Sequence, residues 1–234
     1  KRVCQLMEKK YIFITGAPGS RWGRIEFFLA QHSRLVDNSA WLPYLVDKPS
    51  NLTTHQHKFF GPYNEHGERF DVLHLLGRDG VFQELDRAFD PADTRPVRFV
   101  RCHHFAYQLD WIAENLPEVD IIMMLRESNL CYKWWHEAGG WDISYPNYTW
   151  YAHSEKMRRQ IIIENNCMLK FMRDKRLEMD YSSWDIDKWL TKHWNQTWLP
   201  AGKWEAETFD KALTDAFITE QDKTCWPVIY RGTK

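Results

Sequence analysis

Three separated groups of side chains carry the chemistry that this sequence could perform. The first is Gly16-Ala17-Pro18-Gly19-Ser20-Arg21-Trp22-Gly23, which follows the apolar run Tyr11–Ile14 and precedes Ile25, Phe28 and Leu29 at helical spacing. A strand, a tight glycine turn and a helix start together aim backbone N–H groups at an anion. Gly16 and Gly19 permit close backbone approach, Ser20 adds a hydroxyl, and Arg21 and Arg24 add charge. The second group is His103-His104, placed where the alternating run Val97-Arg98-Phe99-Val100-Arg101 ends. An imidazole there can take a proton near neutral pH. The third is Arg126, with Ser128 two residues on, directly after the apolar run Asp120–Leu125. A run of that kind suits an interior parallel strand covered on both faces.

The elements needed to bring these groups together are strands followed by helices, three times over. That pattern predicts an α/β fold with a central, mostly parallel sheet flanked by helices, and ligands at the carboxyl ends of the strands. By strand alternation His103 and His104 should face opposite ways, and Ser128 is placed to cap a helix carrying Cys131, Trp134 and Trp135. Asp71–Leu76 reads as a short strand, and Val81–Phe89 as a short helix. His153–Asp174 reads as a long helix with Met157, Ile161, Ile162, Met168, Leu169 and Met172 on its apolar side. Arg176–Tyr181 is a weak strand candidate, and Asp185–Trp194 and Glu205–Phe217 read as short helices. No repeat or linker divides the 234 residues, which predicts one domain over 1–234.

A net charge of −1 argues against a nucleic-acid binder, so any anion site must be a local cluster. No apolar run is long enough to span a membrane, and no membrane partner is expected. Five scattered cysteines without a C-x-x-C pair read as reduced thiols and a cytoplasmic protein. The three Asn-x-Thr sequons are then read as chance. His55 and His57 would share one face of a strand, but no further ligand follows at metal-site spacing, and no metal is expected. The 13 Trp, concentrated in the second half, are read mainly as core, with one or two free to line a ring-accepting pocket.

A kinase-type loop would need Gly-Lys-[Ser/Thr], and this chain has Arg21-Trp22 in those places. The three groups, in their order and separations, instead resemble the sulfotransferases that use 3′-phosphoadenosine 5′-phosphosulfate (PAPS). Gly16, Pro18 and Ser20 match that family's 5′-phosphosulfate loop, Arg101-Cys102-His103 its [KR]-T-H strand end, and Leu125-Arg126-Glu127 its R-[DN]-P strand end. The resemblance covers roughly the first 140 residues. It implies a three-layer P-loop-type fold and transfer of a sulfuryl group from PAPS to a hydroxyl or amine of a small-molecule or carbohydrate acceptor. His103 is the implied base, with His104 as the neighbouring candidate, and no metal is called for. The implied cofactor contacts are Gly16, Ala17, Pro18, Gly19, Ser20, Arg21, Trp22, Gly23, Arg126, Ser128, Trp134 and Arg231. The chain departs from the family pattern in three places. Gly19 holds the loop's basic position, leaving Arg21 to supply the charge, and Trp134 stands where the family has a Ser, leaving Ser128 as substitute. Only Tyr230-Arg231-Gly232 remains of the family's C-terminal glycine segment. Two other readings stay open: a binding protein of this fold without chemistry, and a divergent P-loop kinase.

Overall fold

The computed structural model describes residues 9–37, 39, 73–137, 153–179, 186–189, 192 and 219–233. Four strands form one sheet: β1 (Lys10–Gly16), β2 (Val97–Arg101), β3 (Asp120–Arg126) and β4 (Cys225–Tyr230), in the order β2-β1-β3-β4. The first three are parallel and β4 pairs antiparallel with β3, Arg126 lying opposite Cys225. The expected α/β class and mostly parallel sheet are therefore present.

The sheet is apolar on both faces because alternate residues of each strand feed different clusters. Tyr11, Phe13, Val100, Ile121, Met123 and Leu125 pack with helices α2 (Leu73–Ala88), α3 (Leu109–Asn115) and α5 (Ser154–Asp174). Ile12, Ile14, Phe99, Ile122 and Met124 pack instead with α1 (Arg24–His32) and Trp189 of the short helix α6 (Ile186–Trp189). Helices thus contribute to the core on both faces, which is compatible with a three-layer fold. A third cluster joins Ala17 of the glycine loop to Cys131 and Trp135 of α4 (Ser128–Glu137) and to Met157 and Ile161 of α5. It fixes the loop against two helices.

Several local expectations need correction. The stretch expected as a strand, Asp71–Leu76, is helical from Leu73, whose N–H donates to the Gln108 side chain at 2.6 Å. Gly77, at φ 64°, then kinks that helix before Val81, Leu85 and Phe89 enter the core. Arg176–Met179 form no strand; the chain leaves α5 through a turn with Arg176 at φ 53°. The apolar stripe of α5 is also rotated from its expected phase. Ile162 and Leu169 are exposed, while Gln160, Glu164 and Asn165 are buried beside Met157, Ile161 and Met168. Strand β4 was not foreseen at all. The expected helix Glu205–Phe217 and His55 and His57 lie outside the described residues. Within them, no helix is long and apolar enough to cross a membrane.

Candidate functional site

Chain order sets where a ligand can sit. From β1 the chain goes to β2 on one side and then across to β3 on the other, so β1 and β3 flank a topological switch point. The glycine loop leaves β1 there, and Arg126 ends β3 next to it. The 3₁₀ turn His103–Tyr107 leaves the neighbouring β2 at the same edge.

Two glycines of the loop have a packing reason. A Cβ on Gly16 would come within 2.5 Å of Ser20 Oγ and 2.6 Å of Trp22 Cβ. Gly19 takes φ +80°, and a Cβ there would stand 1.9 Å from the Cys131 carbonyl oxygen of α4. Gly19 is therefore required by the seat of the loop on a helix, whatever the loop binds. Its conformation alone does not mark an anion site. Arg21, though not a glycine, takes φ 59° in the left-handed region that favours glycine, and is held there by its partners. Its guanidinium forms a two-pronged pair with Asp222 and lies 4.6 Å from the Trp134 ring centroid. Ser20 is fully buried, and its hydroxyl has no hydrogen-bond partner among the described residues.

His103 touches the start of the loop. Its Nδ1 lies 2.6 Å from the Gly16 carbonyl, and its own carbonyl accepts from Thr15 Oγ1 at 3.1 Å. Donation from Nδ1–H to Gly16 leaves Nε2 as the basic nitrogen of the neutral ring. The Trp22 ring packs against the imidazole at 4.3 Å between centroids. His104 sits half-buried on the same 3₁₀ turn, edge-on to Tyr107. The alternation argument for their opposed directions fails, because β2 ends at Arg101 and both histidines are on a turn of different periodicity.

Arg126 touches the other end of the loop. Its Nη1 donates to the Gly19 carbonyl at 2.9 Å, its Nε to Thr224 Oγ1 at 2.9 Å, and its Nη2 to Gln221. Ser128 is not the helix cap. The Glu127 carboxylate accepts from the N–H groups of Asn129 and Leu130, and Ser128 Oγ instead accepts from Asn165 Nδ2 at 3.0 Å. Asn165 also donates to the Arg126 carbonyl at 3.0 Å.

The structure thus gathers Gly16–Gly23, His103, Arg126, Ser128 and Trp134 at one edge. It does not bring Arg231 there. Arg231 Nη1 pairs with Asp120 Oδ2 at 2.8 Å, at the amino end of β3. Six residues at about 3.3 Å each separate that end from Arg126, about 20 Å in all.

The sequence reading missed two partners. Asp222, in the 3₁₀ turn Asp222–Thr224, is fully buried, pairs with Arg21, and lies 3.5 Å from Arg24 Nε. Burial alone would raise its carboxyl, but bonds from Arg21 and Thr219 outweigh that and hold it below the usual range. Glu164, fully buried on α5, places Oε2 at 3.7 Å from His103 Nδ1 and accepts from Gln160 Nε2 at 2.8 Å through Oε1. Burial pushes this carboxyl well above the ordinary carboxylate range, against the lowering effect of Gln160. The sequence did carry one signal for Glu164. It falls three residues after Ile161 and four before Met168, inside the apolar stripe, where an unneeded carboxylate is costly.

No family model, curated protein or solved structure matches the chain.

Proposed function

We propose that the chain is a PAPS-dependent sulfotransferase of P-loop-type fold, moving a sulfuryl group to an acceptor hydroxyl or amine with His103 as general base. The observation that carries the reading is the grip on one loop from both ends, by His103 at Gly16 and by Arg126 at Gly19. A base and an anion-binding cation flanking a strand-end loop are what in-line transfer of an anionic group requires.

The residues present fit such a donor at the loop. Ser20 carries a buried hydroxyl with no partner among the described residues, and Arg126 brings positive charge to within 2.9 Å of the loop backbone. When bound, PAPS supplies an activated sulfuryl group on a phosphate leaving group. Ser20 and the loop backbone would hold its 5′ end, and Arg126 its 3′-phosphate. Trp134 and Trp22 offer ring faces nearby. His103 Nε2 would take the acceptor proton, while Nδ1–H stays on Gly16. Charge neutralisation by arginines and N–H donors serves a sulfuryl group, which is less charged than a phosphoryl group, without a metal ion.

One observation favours a second reading, a binding protein of the same fold without chemistry. The Asp222 carboxylate already pairs with Arg21, the loop's substitute cation, so that charge is neutralised from within. Calorimetry with 3′-phosphoadenosine 5′-phosphate, against ATP with Mg²⁺, tests the nucleotide class. Turnover of labelled PAPS over a panel of acceptors then separates the two readings. Nucleotide binding with no sulfated acceptor makes it a binding protein, and binding of ATP–Mg²⁺ alone removes both.

A further inference from the structure

Among the described residues, most buried charges at the carboxyl edge of the sheet are answered by an opposite charge within the ion-pair range. Arg21 and Arg24 face Asp222, and Arg101 Nε lies 3.3 Å from Glu26 Oε2. Glu164 differs. It is fully buried, its Oε1 accepts one neutral amide bond, and its Oε2 has no hydrogen bond among the described residues. Among the described residues, the ionisable side chain within ion-pair distance of Oε2 is His103, through Nδ1 at 3.7 Å.

We infer that His103 and Glu164 form one coupled acid–base pair, in which Glu164 is a positioning residue that supplies the counter-charge when the imidazole is protonated. Burial makes the charged form of either group costly. A carboxylate in this place is stabilised by a positive charge beside it, and an imidazolium buried beneath Trp22 by a negative one. Each group therefore makes the charged form of the other affordable, and their protons come off as those of a pair. With two protons on the pair it exists as neutral imidazole and carboxylic acid, or as imidazolium and carboxylate. With one proton fewer it is neutral imidazole beside carboxylate. That last form is the competent base. A proton leaving an acceptor hydroxyl for Nε2 then creates an ion pair across Nδ1–H and Oε2 rather than an isolated buried cation.

Four other titratable or charged groups among the described residues face the pair or its cover. Tyr107, from the 3₁₀ turn, receives a bond from the same Gln160 amide that serves Glu164 and is shifted up by burial and by Glu164. Cys167, one turn along α5, is raised by burial and then by Glu164, with Lys170 acting in the opposite direction. From β2, Arg101 lies 5.7 Å from the Trp22 ring centroid, on the ring that covers His103. His104 is the neighbour on the 3₁₀ turn.

The catalytic meaning of the pair rests on the sulfotransferase reading, whereas the pairing itself does not, so the test needs no cofactor. The protein is labelled with ¹⁵N-histidine and ¹³C-glutamate, and the His103 ring nitrogens and Glu164 Cδ are followed across pH by NMR. In Glu164→Gln, which keeps the side-chain shape, the His103 midpoint should fall by about one pH unit or more, a tenfold loss of proton affinity. Glu164→Asp should restore part of that shift. A His103 midpoint in Glu164→Gln within about 0.3 unit of wild type overturns the inference. If Glu164→Gln does not fold, the wild-type spectra decide instead. Glu164 Cδ must then show an inflection at the His103 midpoint, and a featureless Glu164 curve there overturns it. Failure to sulfate any acceptor would sink the sulfotransferase reading and leave these titrations unaffected.

Discussion

Strand β3 carries a buried charge at each end, and the two ends are built differently. At its amino end Asp120, 3% exposed, is answered on every side: Lys10 Nζ at 3.0 Å, Arg231 Nη1 at 2.8 Å and the Gly232 N–H at 2.9 Å. At its carboxyl end Arg126, equally buried, is bound by a carbonyl, a hydroxyl and an amide. Nearby, Ser20 Oγ, Glu164 Oε2 and Asn165 Oδ1 are left without hydrogen bonds among the described residues. Buried polar atoms are nearly always paired. An end of the sheet that pairs all its groups serves stability, and an end that leaves several unpaired is arranged around something else. The amino end is therefore a lock, and the carboxyl end the candidate site.

The sharpest way to break this comparison is His103→Ala. Loss of a general base should lower turnover by about 10²–10⁴-fold while leaving nucleotide affinity near wild type. Steady-state kinetics beside calorimetry reads both quantities. His104→Ala should do much less, since its ring faces Tyr107 and it is His103 that touches the loop. Loss of nucleotide affinity in His103→Ala would mean that the imidazole is a prop for the loop.

Arg126→Ala should come next. Removing a charge-assisted contact to a 3′-phosphate costs about 1.5–3 kcal/mol, roughly ten- to a hundredfold in affinity. The loss should be greater for 3′-phosphoadenosine 5′-phosphate than for adenosine 5′-phosphosulfate, which lacks that phosphate. The variant also orphans the Gly19 carbonyl, so its melting temperature should fall together with its affinity. Equal losses for both ligands would reduce Arg126 to a brace between the loop and the turn 221–224. Gly19→Val is a poorer probe, because collision with the Cys131 carbonyl would unseat the loop with or without a ligand.

At the amino end, Asp120→Asn should cost stability and leave binding alone. The carboxyl would be raised by burial, but Lys10, the Gly232 N–H and Arg231 outweigh that and hold it below the usual carboxylate value. The unfolded chain therefore binds this proton more readily than the folded one. Asp120 then contributes its full stability above the unfolded pKa of about 3.9, and loses it as pH falls through the lower folded value. Denaturant melts at neutral pH should show a loss of about 1–2 kcal/mol in Asp120→Asn. The difference from wild type should shrink in acid. A difference that stays constant as the pH is lowered through the acid range would remove the electrostatic account.

What the sequence disclosed, and what it withheld, follows the same division. The three parallel strands and the loop were legible because each is a continuous local pattern, and Val97–Arg101 occupies its expected span residue for residue. Strand β4 was not, because Pro227 interrupts a half-buried run that is tolerable only at a sheet edge. His103, Arg126 and the loop could be put on one edge from topology alone. Glu164 and Asp222 could not, since they reach the site from 61 residues beyond His103 and 201 beyond Arg21. Partners recruited over such separations leave no local spacing to read. The hint at Glu164, a carboxyl in an apolar stripe, becomes usable only once the phase of the helix is known.

Arg231→Ala should have the smallest effect, and it tests the division directly. The sequence resemblance assigned Arg231 to the cofactor, whereas the structure pairs it with Asp120 at the far end of β3. Its side chain is 30% exposed, and Asp120 keeps Lys10 and the Gly232 N–H when the guanidinium is removed. A partly exposed pair with remaining partners is worth about 0.2–1 kcal/mol. Denaturant melts should register no more than that, and affinity for 3′-phosphoadenosine 5′-phosphate should equal wild type. The comparison with Arg126→Ala is then decisive, because the two variants delete one arginine each, from the last residue of β3 and from the residue that follows β4. If Arg231→Ala weakens the nucleotide as much as Arg126→Ala does, the two ends of β3 are not functionally distinct. The carboxyl-edge assignment would then have to be given up.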